Sequence, residues 1–192
     1  MKFNILLAPL VSLIALAASG AGAATLEGQL FEERIRLVNH ELRLNGLGVR
    51  AVFIIKGYVA GLYLNEKAAT LQEVAAMPGP KRLQLRMLRS AGPDDFNSAL
   101  VAGIRKNASE AELARLNERI GQLERTIKAI GLTVTGDVIN LDYVPDLGTT
   151  LAVNGASKGA AIAGADFFTA VLGIFVGDNP VDARLKQGLL GQ

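Results

Sequence analysis

A long run of strand-forming residues, Val49–Leu64, constrains the fold of this 192-residue chain more than any other feature. The run is rich in Val, Ile, Phe and Tyr, which favour strands, and it is apolar at odd and even positions alike. Because successive side chains of a strand point to opposite faces, this pattern predicts one long strand in a sheet that is covered on both sides. We expect helices on one side and other parts of the chain on the opposite side.

Patterned segments around this run predict a single α+β domain. Leu26–Leu44 predicts one or two strands, and Asn45–Gly48 predicts a turn, because asparagine and glycine tolerate positive φ. The later segments predict, in order, a short helix at Thr70–Ala76, a strand at Leu83–Met87, a helix from Pro93 to about Lys106, a helix opened by the capping box Ser109–Glu112, a hairpin of Asp137–Val144 with Thr149–Asn154, a glycine-rich turn region at Gly155–Gly164, and helices at Asp166–Val176 and Val181–Leu190.

The helix after Ser109 has the clearest apolar periodicity in the chain, with spacings of three and four residues from Leu113 to Ile130. Such a stripe is either a coiled-coil seam for a partner or the inner face of a helix that lies on its own sheet. About three heptads is short for a coiled coil, so the second interpretation is favoured.

The first 23 residues predict an export signal. Lys2 precedes an apolar run from Ile5 to Ala18, and the small residues Ala21-Gly22-Ala23 form a cleavage site. The run is too short to span a bilayer comfortably, so no stable membrane span is expected after cleavage. We therefore expect one mature domain, residues 24–192, that works in the periplasm or is secreted.

Composition excludes several classes of function. The chain has no cysteine and one histidine, His40, so we expect no metal site and no cofactor. It has 20 basic and 18 acidic side chains, and Lys2 is the one basic residue of the predicted signal. A mature domain this close to neutral is not expected to bind nucleic acid.

Arg50, Tyr58, Val52 and Ile54 are the candidate ligand-binding residues, the first two for a polar head group and the aliphatic pair for an apolar tail. They are separated by an even number of residues, so in one regular strand both would lie on the same face as Val52 and Ile54. An arginine and a phenol hydroxyl beside aliphatic side chains can receive a carboxylate with an apolar tail. Alternatively, Arg50 pairs with an internal carboxylate such as Asp142 or Asp166, because a buried charge needs a partner.

Three stretches of the sequence resemble the chalcone isomerase-like family. The first two are Leu44-Asn45-Gly46-Leu47-Gly48-Val49-Arg50 and Tyr58-Val59-Ala60-Gly61-Leu62-Tyr63-Leu64. The third runs from Asp166-Phe167-Phe168-Thr169-Ala170-Val171-Leu172 to Val176-Gly177-Asp178-Asn179-Pro180-Val181. The chain is most similar to the exported bacterial branch. The resemblance implies an open-faced β-sandwich, with a large antiparallel sheet packed by helices on one side and a ligand cleft between them.

The resemblance also implies what the site does. Plant enzymes of the family cyclise chalcones with an arginine at the position of Arg50 and a helix bearing Tyr-x-x-Lys-x-x-x-Asn. This sequence departs from that pattern, because Phe96, Ala99 and Gly103 fall at the three helix positions and supply no polar group. The fatty-acid-binding relatives, which are not catalysts, hold the carboxylate with an arginine and a tyrosine at the positions of Arg50 and Tyr58.

Three functions follow from these residues. The favoured one is an exported, non-catalytic protein that binds a fatty acid or similar amphiphilic carboxylate in an apolar cleft. The second is an intramolecular lyase or isomerase with a changed catalytic set, which uses Tyr58 itself. The third is a structural or interaction protein whose cleft is closed by side chains, with the Leu113–Ile130 helix as the partner face.

Overall fold

The computed structural model of the protein describes residues 22–192, so nearly all of the predicted export signal lies outside the described residues. The described chain forms strands β1 (Ala23–Leu26), β2 (Gln29–Glu32), β3 (Arg34–Leu37), β4 (His40–Val52), β5 (Ile55–Leu64), β6 (Lys81–Met87), β7 (Val138–Val144), β8 (Gly148–Val153) and β9 (Ala156–Ile162). Its helices are α1 (Leu71–Ala76), α2 (Pro93–Asn107), α3 (Glu110–Ile130), α4 (Ala165–Val176) and α5 (Ala183–Leu189).

Strands β3 to β9 form one antiparallel sheet of seven strands, in which the spatial order follows the sequence order. The helices pack on one face, where the main core includes Leu62, Leu83, Leu116 and Phe167. On the opposite face the small β1–β2 hairpin contributes the fully buried Phe31 to a second apolar cluster. The mixed α+β fold with its helices on one side of a large antiparallel sheet is therefore confirmed.

The prediction of one long strand over Val49–Leu64 is wrong. The chain reverses at Phe53 and Ile54, between β4 and β5, and the two strands pair in an antiparallel register. Phe53 has a positive φ of 54°. In a tight turn this conformation is usually adopted by Gly, Asn or Asp. The sequence conceals this turn because apolar residues occupy it.

The predicted turn at Asn45–Gly48 is also wrong, because these residues lie inside β4. Their glycines serve close packing against α5 instead of positive φ. A Cβ atom on Gly48 would lie 2.6 Å from the carbonyl oxygen of Leu185, and one on Gly46 would overlap the backbone of Gly188. Asn45 is buried and donates to the carbonyl oxygens of Ala68 and Leu189, which ties β4 to the C-terminal helix.

Two further segments differ from the sequence-based expectation. Leu26–Leu44, predicted as one or two strands, holds β2, β3 and the first part of β4. Each predicted helix is present, and Ser109 and Glu112 form the expected capping box of α3. The glycine-rich region predicted as a turn is instead the edge strand β9, in which Gly159 takes a φ of 66° beside Thr126. Among residues 22–192, no helix combines the length and apolar character that crossing a membrane requires.

Candidate functional site

An apolar cleft lies between the sheet and the helices that cover it. Its volume is about 290 Å³, close to the lower end of ligand pockets, which is roughly 300 Å³. The sheet wall comes from β4 to β8, and α2, α3 and α4 form the opposite wall. From β5 to β8 the cleft crosses three strand spacings, or about 14 Å, so it has room for an elongated apolar group.

Aliphatic side chains form almost the whole lining. On the sheet they project from one face of the strands, because alternate residues of a strand share a face; they are Leu83, Leu85, Met87, Ile139, Leu141 and Leu151. The helices contribute Phe96, Leu100, Leu123, Ile127, Ile130, Val171, Ile174 and Phe175. The α3 stripe therefore lies over the protein's own sheet, as its spacing predicts.

Arg50 and Tyr58 both line the cleft, and the register of the sheet brings them together. They are direct cross-strand partners on β4 and β5, and opposite residues of an antiparallel pair project to the same face. The sequence predicts that the two side chains share a face because of even spacing along a single strand, and this reason is wrong. They share a face because they are paired across the two strands of a hairpin.

Arg50 has an internal partner, although neither Asp142 nor Asp166 supplies it. Asp142 accepts two hydrogen bonds of 2.6 Å from Arg82, and Asp166 accepts bonds of 2.7 and 2.8 Å from Arg119. The Nη1 atom of Arg50 lies 3.6 Å from Oδ2 of Asp182, beyond hydrogen-bonding distance.

The carboxylate of Asp182 is already satisfied by backbone groups. Its Oδ1 accepts from the backbone N–H groups of Arg184 and Leu185 and caps α5, and its Oδ2 accepts from the N–H of Ala51. Arg50 also donates through Nη1 to the carbonyl oxygen of Ala51. Since both Arg50 contacts use Nη1, the guanidinium keeps Nε and Nη2 to donate to a ligand.

Tyr58 is suited to donate a hydrogen bond and not to act as a base. Burial raises the pKa of its hydroxyl well above the usual range and outweighs the opposing effect of the Arg50 charge, while Asp182 raises the pKa further. The phenol therefore stays protonated at physiological pH. Together, Arg50 and Tyr58 present a cation and a neutral donor at one end of an apolar cleft.

The two aliphatic candidates lie elsewhere. Val52 and Ile54 do not line the cleft; they lie at the β4–β5 hairpin, where their exposed fractions are 51% and 93%. The aliphatic surroundings of Arg50 and Tyr58 come instead from strands and helices distant in the sequence. His40 is exposed at the start of β4, away from this site.

The helix positions at which chalcone-cyclising enzymes carry polar groups are apolar in three dimensions as well. Phe96 and Ala99 lie on the cleft wall, whereas Gly103 packs against Ile174. The Thr133 hydroxyl donates to the carbonyl oxygen of Ala91, and the Asp95 carboxylate accepts from the N–H of Gly92. These two polar groups of the lining are thus already engaged by backbone.

No cluster of metal ligands stands out in the part of the chain that the structure describes. No group of three or more His, Cys, Asp or Glu residues within 22–192 is arranged to hold a metal ion. The sequence indicates the polar end of the cleft but not most of its walls. The alternation of Leu83, Leu85 and Met87 was visible, but the helices that face these residues could not be paired with them from sequence.

Comparison with known proteins agrees with this architecture. No curated protein matches the sequence significantly. A crystal structure of a fatty-acid binding protein from Arabidopsis thaliana superposes with a TM-score of 0.66 at 14% identity and covers 88% of this chain and 96% of its own. The family model described as chalcone isomerase-like matches residues 23–191. The chain therefore belongs to the chalcone isomerase-like family.

Proposed function

We propose that this protein binds a fatty acid or a similar amphiphilic carboxylate, without catalysing a reaction on it. The single observation that carries the proposal is the apolar cleft with Arg50 and Tyr58 paired across β4 and β5 at one end. The carboxylate would accept hydrogen bonds from both side chains, and the tail would extend along the sheet toward Leu141 and Leu151. The fatty-acid binding of the Arabidopsis neighbour supports the same class of ligand.

The magnitudes of the interactions are sufficient for useful affinity. Ten methylenes buried at ~0.8 kcal/mol each contribute about 8 kcal/mol. A charge-assisted hydrogen bond adds roughly 1.5–3 kcal/mol. Association costs about 4–15 kcal/mol. At the low end of this cost, which applies when the cleft is already formed, the net gain of roughly 5.5–7 kcal/mol corresponds to a Kd of about 10–100 μM.

The cleft geometry weighs against the two alternative functions. An isomerase that used Tyr58 as a base would need its phenolate, and the raised pKa of that hydroxyl opposes ionisation. On the helix wall of the cleft, Phe96 and Ala99 carry no acid or base, and the carboxylate of Asp95 accepts from the N–H of Gly92. A purely structural role would suit a cleft filled by side chains, whereas this one has open volume.

Titration calorimetry with dodecanoic acid and its methyl ester tests the proposal. Arg50→Ala should weaken binding of the acid by about 1.5–3 kcal/mol, because a charge-assisted bond is lost, and should barely change binding of the ester. Tyr58→Phe removes one neutral donor and should cost the acid about 0.5–1.5 kcal/mol.

Arg43→Ala is the matched control, because Arg43 is an exposed arginine of the same strand that does not line the cleft. It should leave both affinities unchanged. Circular dichroism would verify that each variant is folded. Equal losses for acid and ester in Arg50→Ala would show that Arg50 supports the fold, and absence of binding by the unmodified protein would refute the proposal.

A further inference from the structure

The turn between β4 and β5 exposes four consecutive large apolar side chains, at residues 52–55, which we call the hairpin tip. Phe53 is 97% exposed and Ile54 93%, while Val52 and Ile55 are each about half exposed. Turn formation does not account for this composition, since a tight turn favours Gly, Asn and Asp, and the positive φ of Phe53 is unfavourable for a bulky residue.

The hairpin tip adjoins the end of the cleft that holds the polar pair. Arg50 and Gly57, on either side of the tip, both line the cleft. The loop after β6 lies at this same end, because the N–H of Leu88 donates to the carbonyl oxygen of Gly57. A second loop bridges to it through Ala91 and Thr133.

That second loop adds two more exposed apolar side chains at the same end of the sheet. Leu132 is 65% exposed and Val134 47%, and between them the buried Thr133 lines the cleft. Exposed apolar groups thus cluster around the polar end of the cleft.

Two of the cations near the tip are paired within the described chain. The Nζ atom of Lys56 lies 2.6 Å from a Glu27 carboxylate oxygen, and Arg50 has Asp182 as its partner. Arg89, on the loop after β6, is exposed and lines the same end of the cleft. One exposed cation gives only a modest, salt-screened attraction for an anionic partner, so the exposed apolar side chains remain the main feature of this surface.

A second copy of the chain is a poor occupant of the tip. At roughly 150–250 Å² for a large side chain, the four exposed fractions amount to on the order of 500 Å². Two tips together would bury less than the ~1,200 Å² of a stable protein interface, and a convex tip cannot cover another fully. A lipid surface needs no complementary shape, since side chains insert individually into it.

We propose that the hairpin tip docks the protein on lipid bilayers by inserting Phe53 and Ile54 among the acyl chains, which places the Arg50–Tyr58 end of the cleft at the membrane surface. The choice of a lipid surface rests on the proposed function, because a fatty acid dissolves in bilayers and must leave one to enter the cleft. The docking depends on apolar contact and not on lipid charge.

The absence of tryptophan from the chain permits a direct test. Phe53→Trp places a single indole at the tip, and Leu147→Trp places one at a 53%-exposed apolar residue of the β7–β8 turn, at the opposite end of the sheet. With phosphatidylcholine vesicles, the indole of Phe53→Trp should shift to shorter emission wavelengths and be quenched by brominated acyl chains, whereas the indole of Leu147→Trp should not. Adding Ile54→Asp to Phe53→Trp should weaken vesicle partition at least tenfold, and raising the salt concentration should change partition less than twofold.

Equal quenching in the two variants, or none in Phe53→Trp, would overturn the proposal. So would a blue shift of the tip indole that depends on protein concentration without vesicles, since this would identify the tip as a self-association surface. Calorimetry with dodecanoic acid on the same proteins separates the two proposals. Acid binding without insertion of the tip indole refutes only the docking, and insertion without acid binding refutes only the proposed ligand.

Discussion

Asp182 competes with a bound carboxylate for the charge of Arg50. At an effective dielectric constant of about 20, two carboxylates separated by ~6 Å repel each other by roughly 3 kcal/mol. Part of this repulsion is offset because Asp182 also holds Arg50 near the cleft. The balance between repulsion and orientation decides how tightly the site holds an acid.

Asp182→Asn separates these two effects. Asparagine is a good N-cap and can keep the bonds to Arg184 and Leu185 through Oδ1, so α5 should remain intact. Its amide nitrogen cannot accept from the N–H of Ala51, so that one bond is lost. With the competing charge removed, we expect binding of dodecanoic acid to tighten by about 1 kcal/mol, or roughly fivefold. Calorimetry measures this directly, and weaker binding would show that Asp182 acts chiefly by orienting Arg50.

At the scale of elements, the contact between β4 and α5 depends on glycines. Gly48→Ala should lower the free energy of unfolding by about 1–3 kcal/mol, because the new Cβ would overlap the Leu185 backbone. Gly57→Ala on the neighbouring strand is the control, since its nearest atom would be 3.7 Å away. Urea denaturation of both variants provides the measurement, and equal stability losses would contradict the packing argument.

The ion pair between α3 and α4 gives a pH-dependent contribution to stability. Hydrogen bonds from Arg119 hold the pKa of Asp166 below its usual range. A depressed pKa in the folded state stabilises the protein above the unfolded value of ~3.9, and this stabilisation is lost as the pH falls through the folded value. The Asp166 side chain is 55% exposed, so the contribution at pH 7 is only about 0.3–1 kcal/mol.

Asp166→Asn should therefore be less stable than the parent protein by about 0.3–1 kcal/mol at neutral pH. The difference should shrink in acid, as the pH falls below ~3.9 and through the depressed folded pKa of Asp166, because the parent carboxyl is then protonated as well. Urea titrations of both proteins at neutral and at acid pH measure this difference in the free energy of unfolding. A difference that persists in acid would assign the effect to packing, because the ion pair with Arg119 and the interaction with the α4 dipole both require the charged carboxylate.

Helices were predictable from sequence because their signals are local. Ser109 caps α3 and Pro93 opens α2 as expected. The short helix predicted from Thr70 is α1, for which Thr70 is the N-cap. The errors arose where tertiary context overrides a local signal. Asn45–Gly48 looks like a turn because glycine can adopt a positive φ. Glycine also permits close approach of two backbones, and only the packing of α5 shows that this second property is the reason for Gly46 and Gly48. Phe53 and Ile54 look like the interior of a strand because they are apolar, whereas in the structure they occupy an exposed turn.

The residues of the candidate site likewise include some that local sequence signals reveal and others that depend on tertiary contacts. Arg50 and Tyr58 could be selected from sequence because they are polar groups in an apolar run, while their pairing depends on a hairpin that the run conceals. Leu123 and Leu151 could not be joined to them, because contacts between elements distant in sequence leave no local pattern. The expectation that Val52 and Ile54 contact the ligand rests on their even spacing from Arg50, and even spacing implies a common face only within one continuous strand.

For the whole molecule, we expect no appreciable cyclisation of chalcones. The cleft wall presents Phe96 and Ala99 where the reaction would need donors, and Tyr58 stays protonated. Chalcone absorbance would be followed at fixed pH with and without protein, because the reaction also proceeds spontaneously. A rate well above background that disappears in Arg50→Ala would restore the enzyme hypothesis.

We also propose that the protein is exported and that the mature chain begins at Ala24. Cleavage after Ala23 would leave three of the four residue pairs between β1 and β2, so the hairpin that carries Phe31 would be retained. Intact-mass analysis of protein recovered from the periplasm of an expressing bacterium checks the site. A mass that retains Lys2 and the apolar run would mean that this segment is an anchor.

The most direct test of the central claim is to locate a bound fatty acid by anomalous diffraction from a bromine at the end of its chain. We expect the bromine among Leu123, Leu141 and Leu151, with the carboxylate within hydrogen-bonding distance of Arg50 and Tyr58. A bromine beside Arg50, with the carboxylate at the far end, would contradict the account. So would a bromine on the opposite face of the sheet, beside Phe31.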